Sequence, residues 1–253
     1  MMQPEREGRM SAVGAVSPLH PVENLSSGAF TDEVFKVAFV CTANQFRSAL
    51  AEAVCTYLLA GAPAEVSSFG VLDRTGSPPL RPAVDVAKQL GIDLSGHRSR
   101  ALKPGSLAGT NLVVGFERSH VAAAVVEGGA APERTFLLTE LVQLLLAAGA
   151  GTTLTDPTPD ELVRRLDPAR RLHGYGEFPS IRDQTSAAPI VQRAVAVKVS
   201  EYAARAILTL FASRDDKRAD ELLARIEKLK KKADRRRFGL WGASNTQRAA
   251  AQS

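Results

Sequence analysis

Short apolar runs alternate with segments of helical composition along the chain, and this alternation strongly limits the folds it can adopt. The apolar runs lie at 35–40, 65–69, 111–116 and 134–138, and runs of this kind are typical of buried strands. Segments of helical composition lie at 48–59, 81–90, 118–126, 140–148 and 189–211. Strands that alternate with helices form parallel sheets covered on both faces. The sequence therefore predicts an α/β fold: a four-stranded parallel sheet, doubly wound in a flavodoxin-like or Rossmann-like manner, with helices on both faces.

Composition divides the chain into three parts, the second of which contains an insertion. Residues 1–34 mix Pro, Gly, Ser and Glu without periodicity, which predicts a disordered N-terminal arm. A compact domain is expected at 35–213, with an insertion at about 149–180, where the pattern weakens. Within that insertion, Thr158-Pro159-Asp160-Glu161 has the pattern of a helix N-terminus. Residues 214–253 are expected to form a basic helix and tail.

Positive charge is concentrated near the end of the chain. The net charge is +5, yet residues 214–237 hold 11 basic and six acidic residues, and residues 1–213 carry a net charge of −1. Such a segment is either a solvated helix or a contact for an anionic partner such as lipid, nucleic acid or an acidic protein. No specific nucleic-acid motif accompanies it. Charges interrupt the apolar stretches well before the roughly 20 residues of a membrane helix, so we expect no transmembrane segment. The first ten residues are polar and lack the apolar core of a secretory signal, which predicts a cytoplasmic location.

The two cysteines, Cys41 and Cys55, exclude a disulfide framework and a cysteine-rich metal site. His97 and His120 do not have the spacing of metal ligands, such as a pair four residues apart on a helix. No metal site is therefore predicted, and each cysteine is either a packing residue or a reactive thiol. Cys55 lies inside a predicted helix, where packing is expected.

Cys41 stands at the end of the first predicted strand, and Arg47 and Ser48 begin the next helix. The five intervening residues are Thr42, Ala43, Asn44, Gln45 and Phe46. A loop of this length can wrap its backbone N–H groups around a tetrahedral oxyanion, and the helix N-terminus adds its dipole. Arg47 can hold two phosphate oxygens with its planar fork. The same positive setting favours a thiolate at Cys41, to which Ser48 can donate a hydrogen bond.

The segment from Cys41 to Ser48 resembles the phosphate-binding loop of the low-molecular-weight protein tyrosine phosphatases. Three further segments resemble that family in the same order: Ser67-Ser68-Phe69-Gly70, Gly91-Ile92-Asp93-Leu94-Ser95-Gly96-His97 and Phe116-Glu117-Arg118-Ser119-His120. The resemblance covers residues 35–212 apart from the insertion. It implies catalysis by Cys41 and Arg47, with phosphate bound by residues 42–48. The chain departs from the family pattern at Ala43, where Gly is usual, and at Phe46, where many members have a second cysteine.

The resemblance also implies a general acid, usually an Asp-Pro aspartate just before the last helix. Asp156 and Asp167 each precede a proline, but they fall in the insertion. Asp183 lacks the proline yet lies directly ahead of the last amphipathic helix of the domain, and we favour Asp183 for that reason, with Asp156 as the alternative. Thr185 and Ser186 stand where the family often has an aromatic residue.

The implied function is hydrolysis of phosphate monoesters through a phosphocysteine intermediate, with a phosphotyrosyl protein or a small aryl phosphate as substrate. The resemblance implies no metal or organic cofactor. The sequence is also compatible with two other functions. One is a thiol-dependent arsenate reductase of the same fold, which passes electrons through further thiols. The other is a non-catalytic module that docks a phosphorylated partner in the loop.

Overall fold

The computed structural model describes residues 34–149, 157–173, 178–211 and 217–250, with side chains through residue 233 of the last segment. Its elements in chain order are β1 Phe35–Cys41, α1 Arg47–Leu58, β2 Ala64–Gly70, α2 Arg81–Leu90, β3 Leu112–Gly115, α3 Arg118–Val126, β4 Thr135–Leu137, α4 Leu138–Gly149, α5 Pro159–His173, α6 Pro189–Phe211 and α7 Lys217–Ala250. The predicted disordered arm lies, apart from Val34, outside the described residues.

The four strands form one parallel sheet in the order β2-β1-β3-β4. Cys41, the last residue of β1, pairs with Gly70 at the end of β2. Gly115 ends β3 beside Val40. The carboxyl ends of β1, β2 and β3 therefore meet at one edge, where open α/β sheets bind their ligands. The predicted fold is confirmed.

Side chains of β1 alternate between two packed faces, as expected for a strand buried on both sides. Val37, Phe39 and Cys41 face the larger core, which α1, α4 and α6 cover. Ala38 and Val40 face a smaller core that α3 covers. Cys41 is thereby fixed by the sheet, and its side chain points towards the N-terminus of α1.

Helix α5 differs from the expectation for the segment 149–180. The side chains of Thr158 and Glu161 each accept a hydrogen bond from the other's backbone N–H, so the predicted helix N-terminus is present. The helix then continues for 15 residues, through Pro168. Leu162, Val163 and Leu166 are buried in the core that α4 and α6 share. Burial of this apolar stripe sustains a helix that local composition only partly indicates.

Helix α7 packs against α6 and α2 with Ala219, Leu222, Ile226 and Leu229 buried. Lys230 Nζ donates to Glu201 Oε1 of α6 at 2.7 Å, and Arg225 Nη1 donates to the carbonyl of Leu90 at the end of α2. Its first half therefore belongs to the folded domain. None of the helices in the described residues is long and apolar enough to cross a membrane.

Candidate active site

The loop from Thr42 to Phe46 joins the end of β1 to the start of α1, as predicted. Gly70 allows it to turn at this point, because a Cβ at residue 70 would lie 2.7 Å from the carbonyl carbon of Ala43 and 2.8 Å from the nitrogen of Asn44. The loop is also tied to its neighbours through its carbonyls, since Thr42 O and Gln45 O accept hydrogen bonds from the backbone of Leu72 and Leu80.

The loop's amides are free to bind an anion. Among the described residues, none accepts a hydrogen bond from the N–H groups of residues 43–48. Asn44 has φ 54°, a left-handed conformation that Asn adopts more readily than most residues. This reversal lets successive N–H groups converge on one point, which is the geometry of an anion-binding nest.

A buried network holds Asn44 in that conformation. Its Nδ2 donates to Ser48 Oγ and Ser68 Oγ at 2.9 and 2.6 Å, and its Oδ1 accepts from the backbone N–H of Arg100 at 2.7 Å. The carbonyl of Asn44 lies 2.8 Å from His97 Nε2. Every polar group of this buried side chain is therefore satisfied, which makes the loop shape rigid.

Glu52 of α1 anchors the network from behind. It accepts hydrogen bonds from Ser68 and Arg100, and His97 Nδ1 lies 3.5 Å from its carboxylate. Burial acts to raise the pKa of Glu52, but hydrogen bonds to His97, Ser68 and Arg100 outweigh it, and the pKa falls below its usual value. Glu52 is therefore charged at neutral pH.

Cys41 Sγ lies 3.0 Å from Ser48 Oγ, with both side chains buried. Because Ser48 Oγ already accepts from Asn44 Nδ2, the hydroxyl proton is available to the sulfur. A hydroxyl that points at sulfur stabilises a thiolate better than a thiol. The contact predicted between Ser48 and Cys41 is thus present.

Arg47 is almost completely buried, at 1% exposure, with its guanidinium between two carboxylates. Nη1 donates to Glu117 Oε1 at 2.5 Å and to the carbonyl of Ile181 at 2.8 Å. Nη2 donates to Asp183 Oδ2 at 2.7 Å and to Thr42 Oγ1 at 2.8 Å. The arginine at the end of the loop therefore contacts the loop after β3 and the segment before α6.

Asp183 is the sequence-favoured aspartate that the structure brings to this site. Partial burial acts to raise its pKa, but the N–H of Thr185 and the positive charge of Arg47 outweigh burial, and its pKa falls below the usual value. The backbone N–H of Asp183 also donates to Glu117 Oε1 at 3.2 Å. Asp156 lies outside the described residues.

Asp167, the other Asp-Pro aspartate, does not reach the site. It lies within α5 and pairs with Arg171 at 2.8 Å. The adjacent Arg170 donates to the carbonyl of Thr135, the first residue of β4. In a parallel sheet the start of β4 lies at the opposite edge from Cys41, so Asp167 is remote from the sulfur.

Two of the predicted phosphate-binding residues turn their side chains away from the loop's centre. Phe46 is buried in the larger core, and Gln45 Nε2 donates to the carbonyl of Pro78. Only their backbone N–H groups are available to an anion. Because Phe46 is packed in the core at the family's second-cysteine position, this loop has a single sulfur.

Sequence reasoning missed Glu117 and His120 as members of the site. Glu117 directly follows β3, and the rule that ligands bind at strand carboxyl ends could have found it. His120 Nε2 lies 3.2 Å from Thr42 Oγ1. Burial lowers the pKa of His120 to about 4, and the nearby Arg47 charge adds to this, so its ring is neutral at physiological pH.

Cys55 is packed away from the loop, as expected. Its thiol is fully buried and contacts the carbonyl of Ala203 on α6 at 3.8 Å. Burial raises the pKa of the Cys55 thiol far above its ordinary value. A protonated thiol held in the core cannot act as a resolving partner for Cys41.

Comparisons with known proteins agree with this geometry. Residues 36–159 match the family of low molecular weight phosphotyrosine protein phosphatases, and no curated protein matches the chain. The low molecular weight protein tyrosine phosphatase from T. tengcongensis is 25% identical, with a TM-score of 0.50 over 68% of this chain and 96% of its own.

Two further solved structures share the fold. The YwlE arginine phosphatase from Geobacillus stearothermophilus is 24% identical, with a TM-score of 0.52 over 70% of this chain and 92% of its own. The tyrosine phosphatase Wzb from Escherichia coli K30, in complex with sulphate, is 18% identical, with a TM-score of 0.50 over 69% of this chain and 97% of its own. The segment matched to the family contains the Cys41–Ser48 loop and Glu117. This match, together with the likeness to the T. tengcongensis enzyme, indicates that the chain is a cysteine-dependent phosphatase of the low molecular weight phosphotyrosine protein phosphatase type.

Proposed function

We propose that this enzyme hydrolyses aryl phosphate monoesters, on phosphotyrosyl proteins or small molecules, with Cys41, Arg47 and Asp183 as its catalytic residues. The observation that carries the proposal is their convergence: Cys41 starts the loop, and Arg47, which ends it, contacts Asp183 at 2.7 Å. A nucleophile, a fixed cation and a carboxyl thus surround one nest of backbone N–H groups.

In the first step, the Cys41 thiolate attacks phosphorus while the bond to the phenolic oxygen breaks. A sulfur–phosphorus bond forms, and Asp183 gives its proton to the departing oxygen. The amides of residues 43–48 and the Arg47 guanidinium stabilise charge on the equatorial oxygens, and fixed donors of this kind supply the largest catalytic contribution.

Arg47 links phosphate binding to the protonation of Asp183. Its Nη2 contacts Asp183 directly, and its charge helps to lower the pKa of that carboxyl. When Arg47 binds a phosphate dianion instead, the negative phosphate offsets its charge, and the pKa of Asp183 rises. Substrate therefore favours the protonated form that the acid requires.

In the second step, water attacks the phosphocysteine. Asp183, now a carboxylate, accepts the proton of the water, and the Cys41 thiolate leaves. Ser48, 3.0 Å from the sulfur, stabilises the thiolate as leaving group, so one hydrogen bond serves both steps.

Leu72 supports the assignment of aryl substrates. It is 50% exposed, and its backbone N–H is bonded to Thr42 O of the loop. An apolar side chain beside the anion site offers a surface for the ring of an aryl ester.

Two variants test the mechanism with aryl phosphates whose phenols differ in pKa. Cys41→Ala is expected to show no turnover. Asp183→Asn is expected to slow the reaction about 100-fold or more for poor leaving groups and less for good ones. Asp167→Asn is the matched control, because it is the same substitution remote from the sulfur. Equal rates for Asp183→Asn and wild type would refute the acid assignment.

The same assay separates the alternatives. An arsenate reductase would consume thiol in an arsenate-dependent way, yet Cys55 of α1 is buried against α6 and Cys41 has no other internal partner among the two cysteines of the chain. A docking module would bind an aryl phosphate without releasing phosphate. We expect turnover instead, fastest with phosphotyrosyl peptides and slower with phosphoseryl or phosphoarginyl peptides.

The proposal includes an anionic partner for the basic end of the chain and a cytoplasmic location, where a reducing environment preserves a nucleophilic thiol. Lys228, Lys231 and Lys232 are exposed on α7, and residues 235–237 are all arginine. Binding to anionic vesicles or duplex DNA should weaken with salt and fall in the double variant Lys231→Glu with Lys232→Glu. The control is the double variant Lys36→Glu with Lys88→Glu, which changes two exposed lysines outside α7. An equal loss of binding in both double variants would refute a role for α7.

A further inference from the structure

The hydroxyl oxygen of Thr42 lies at the centre of the contacts around Asp183. It accepts a hydrogen bond from Arg47 Nη2 at 2.8 Å, and the same nitrogen donates to Asp183 Oδ2 at 2.7 Å. His120 Nε2 lies 3.2 Å from the hydroxyl on another side. Thr42 and Asp183 therefore share one guanidinium nitrogen as hydrogen-bond donor, and His120 is a second contact of the Thr42 hydroxyl.

The positions of the protons follow from the remaining contacts. His120 Nδ1 accepts a hydrogen bond from the backbone N–H of Glu117 at 3.1 Å, so in the neutral ring Nε2 must carry the proton. Thr42 Oγ1 thus receives two donors, from His120 and from Arg47. With both its lone pairs used, its own proton is left for the carboxylate of Asp183, which shares Arg47 Nη2 with the hydroxyl.

We propose that Thr42 is a positioning residue for the general acid, with its hydroxyl oriented by His120 and hydrogen-bonded to the carboxyl of Asp183. The inference rests on the proposed role of Asp183 as general acid and adds to it the group that holds the acid in place. The loop residue next to the nucleophile then also determines where the proton donor stands.

The arrangement serves both protonation states of the acid. While Arg47 contacts Thr42, the hydroxyl donates to the Asp183 carboxylate. When Arg47 turns to the phosphate, one lone pair of Thr42 becomes free, and the hydroxyl can accept the proton of the protonated carboxyl. His120 keeps its contact throughout, so the oxygen of Thr42 stays fixed while its proton rotates.

Thr42→Val tests this directly, because valine keeps the branched shape and the backbone N–H but lacks the hydroxyl. Turnover of aryl phosphates with poor leaving groups should fall about tenfold, the effect of one hydrogen bond to a charged group, while good leaving groups are hardly affected. KM and the affinity for inorganic phosphate should stay near wild type. Thr42→Ser should restore the rate, and His120→Gln should show the same dependence on leaving group as Thr42→Val.

A double variant separates this inference from its premise. In an Asp183→Asn background, Thr42→Val should cause no further loss, because its effect passes through the acid. If Thr42→Val lowers turnover in that background as much as it does in wild type, or lowers it equally for all leaving groups, the positioning role of Thr42 is wrong. The assignment of Asp183 as general acid would be unaffected by either result. If Asp183→Asn alone leaves the rates unchanged, the acid assignment itself is wrong. If Thr42→Val and His120→Gln both retain full rates while Asp183→Asn does not, only the positioning inference is wrong.

Discussion

Asp183 Oδ2 lies 2.7 Å from Arg47 Nη2, although 136 residues separate them in the sequence. Arg47 is buried and its Nη1 is bonded to Glu117, so the side chain is held beside the loop before any substrate arrives, while Nη2 can exchange its contacts for phosphate. This contact joins the loop that binds phosphate to the segment that supplies the proposed acid. In the proposed mechanism, phosphate binding and proton transfer are therefore coupled through one side chain.

Replacing Arg47 with lysine tests whether phosphate binding requires the planar guanidinium, which can donate two parallel hydrogen bonds. Lysine keeps the charge but cannot bind two phosphate oxygens while it contacts Glu117. We expect kcat/KM for an aryl phosphate to fall about 100-fold to 1,000-fold, as for the loss of an oxyanion donor. Arg164→Lys on the exposed side of α5 is the control. A fall of less than fivefold or so for Arg47→Lys would contradict the assigned role.

Gly70→Ala tests the close approach between β2 and the loop. The added Cβ would lie 2.7 Å from a backbone atom of Ala43, so the loop must shift. Its backbone N–H groups would then no longer converge on one point. Unfolding free energy should fall by about 1–3 kcal/mol, and phosphate affinity should fall with it. At Gly96 an added Cβ meets no atom within 4 Å, so Gly96→Ala should change neither. Unaltered phosphate affinity in Gly70→Ala would show that the loop tolerates the displacement.

Glu52→Gln tests the network behind Asn44 through the pH dependence of stability. The pKa of Glu52 in the folded chain lies below its ordinary value, which is about 4.3 in an unfolded chain, so its charge stabilises the fold above about that pH. This stability is lost as the pH falls through the lowered value. We expect the variant to be about 1–3 kcal/mol less stable than wild type at pH 7. This difference in unfolding free energy, the gap between the two proteins, should disappear at acidic pH. Denaturant unfolding at several pH values measures it, and a gap that widens in acid would contradict the sign.

The ring of His120 should remain neutral far below the range where histidine usually titrates. Its pKa is lowered to about 4 by burial and by the charge of Arg47, whereas an unfolded histidine titrates near 6.5. The unfolded chain then binds more protons between these values, so stability should rise with pH across that window. Histidine NMR signals compared with those of His120→Gln identify the group. A titration midpoint for His120 near or above 6.5 would be inconsistent with the contacts described.

Local sequence signals predicted the scaffold closely because each depends on neighbouring residues. The helix at 81–90 was bounded by its apolar spacing and by Gly91, which has φ 81° at the C-cap. The strand before Cys41 extends one residue beyond its predicted end. The Cys41–Ser48 loop was predictable because its nucleophile, turn residues and cation follow one another along the chain.

Contacts between distant segments could not be predicted in the same way. The strand-end rule could have indicated Glu117, but its contact with Arg47 depends on β3 pairing with β1, and sequence order does not reveal which strands are neighbours. The length of α5 depends on burial of Leu162, Val163 and Leu166, which is a tertiary effect. The Asp-Pro dipeptide at Asp167 was a misleading signal, since Pro168 lies inside that helix.

In the proposed mechanism, phosphate passes through a covalent bond to the sulfur of Cys41. Wild type mixed with an aryl phosphate and quenched in acid within the first turnovers should carry one phosphoryl group, which peptide mass spectrometry maps to Cys41. Asp183→Asn, which hydrolyses the intermediate more slowly, should accumulate it, and Cys41→Ala should carry none. A phosphoryl group on any other residue of the wild type, or phosphate release by Cys41→Ala at the wild-type rate, would contradict the account.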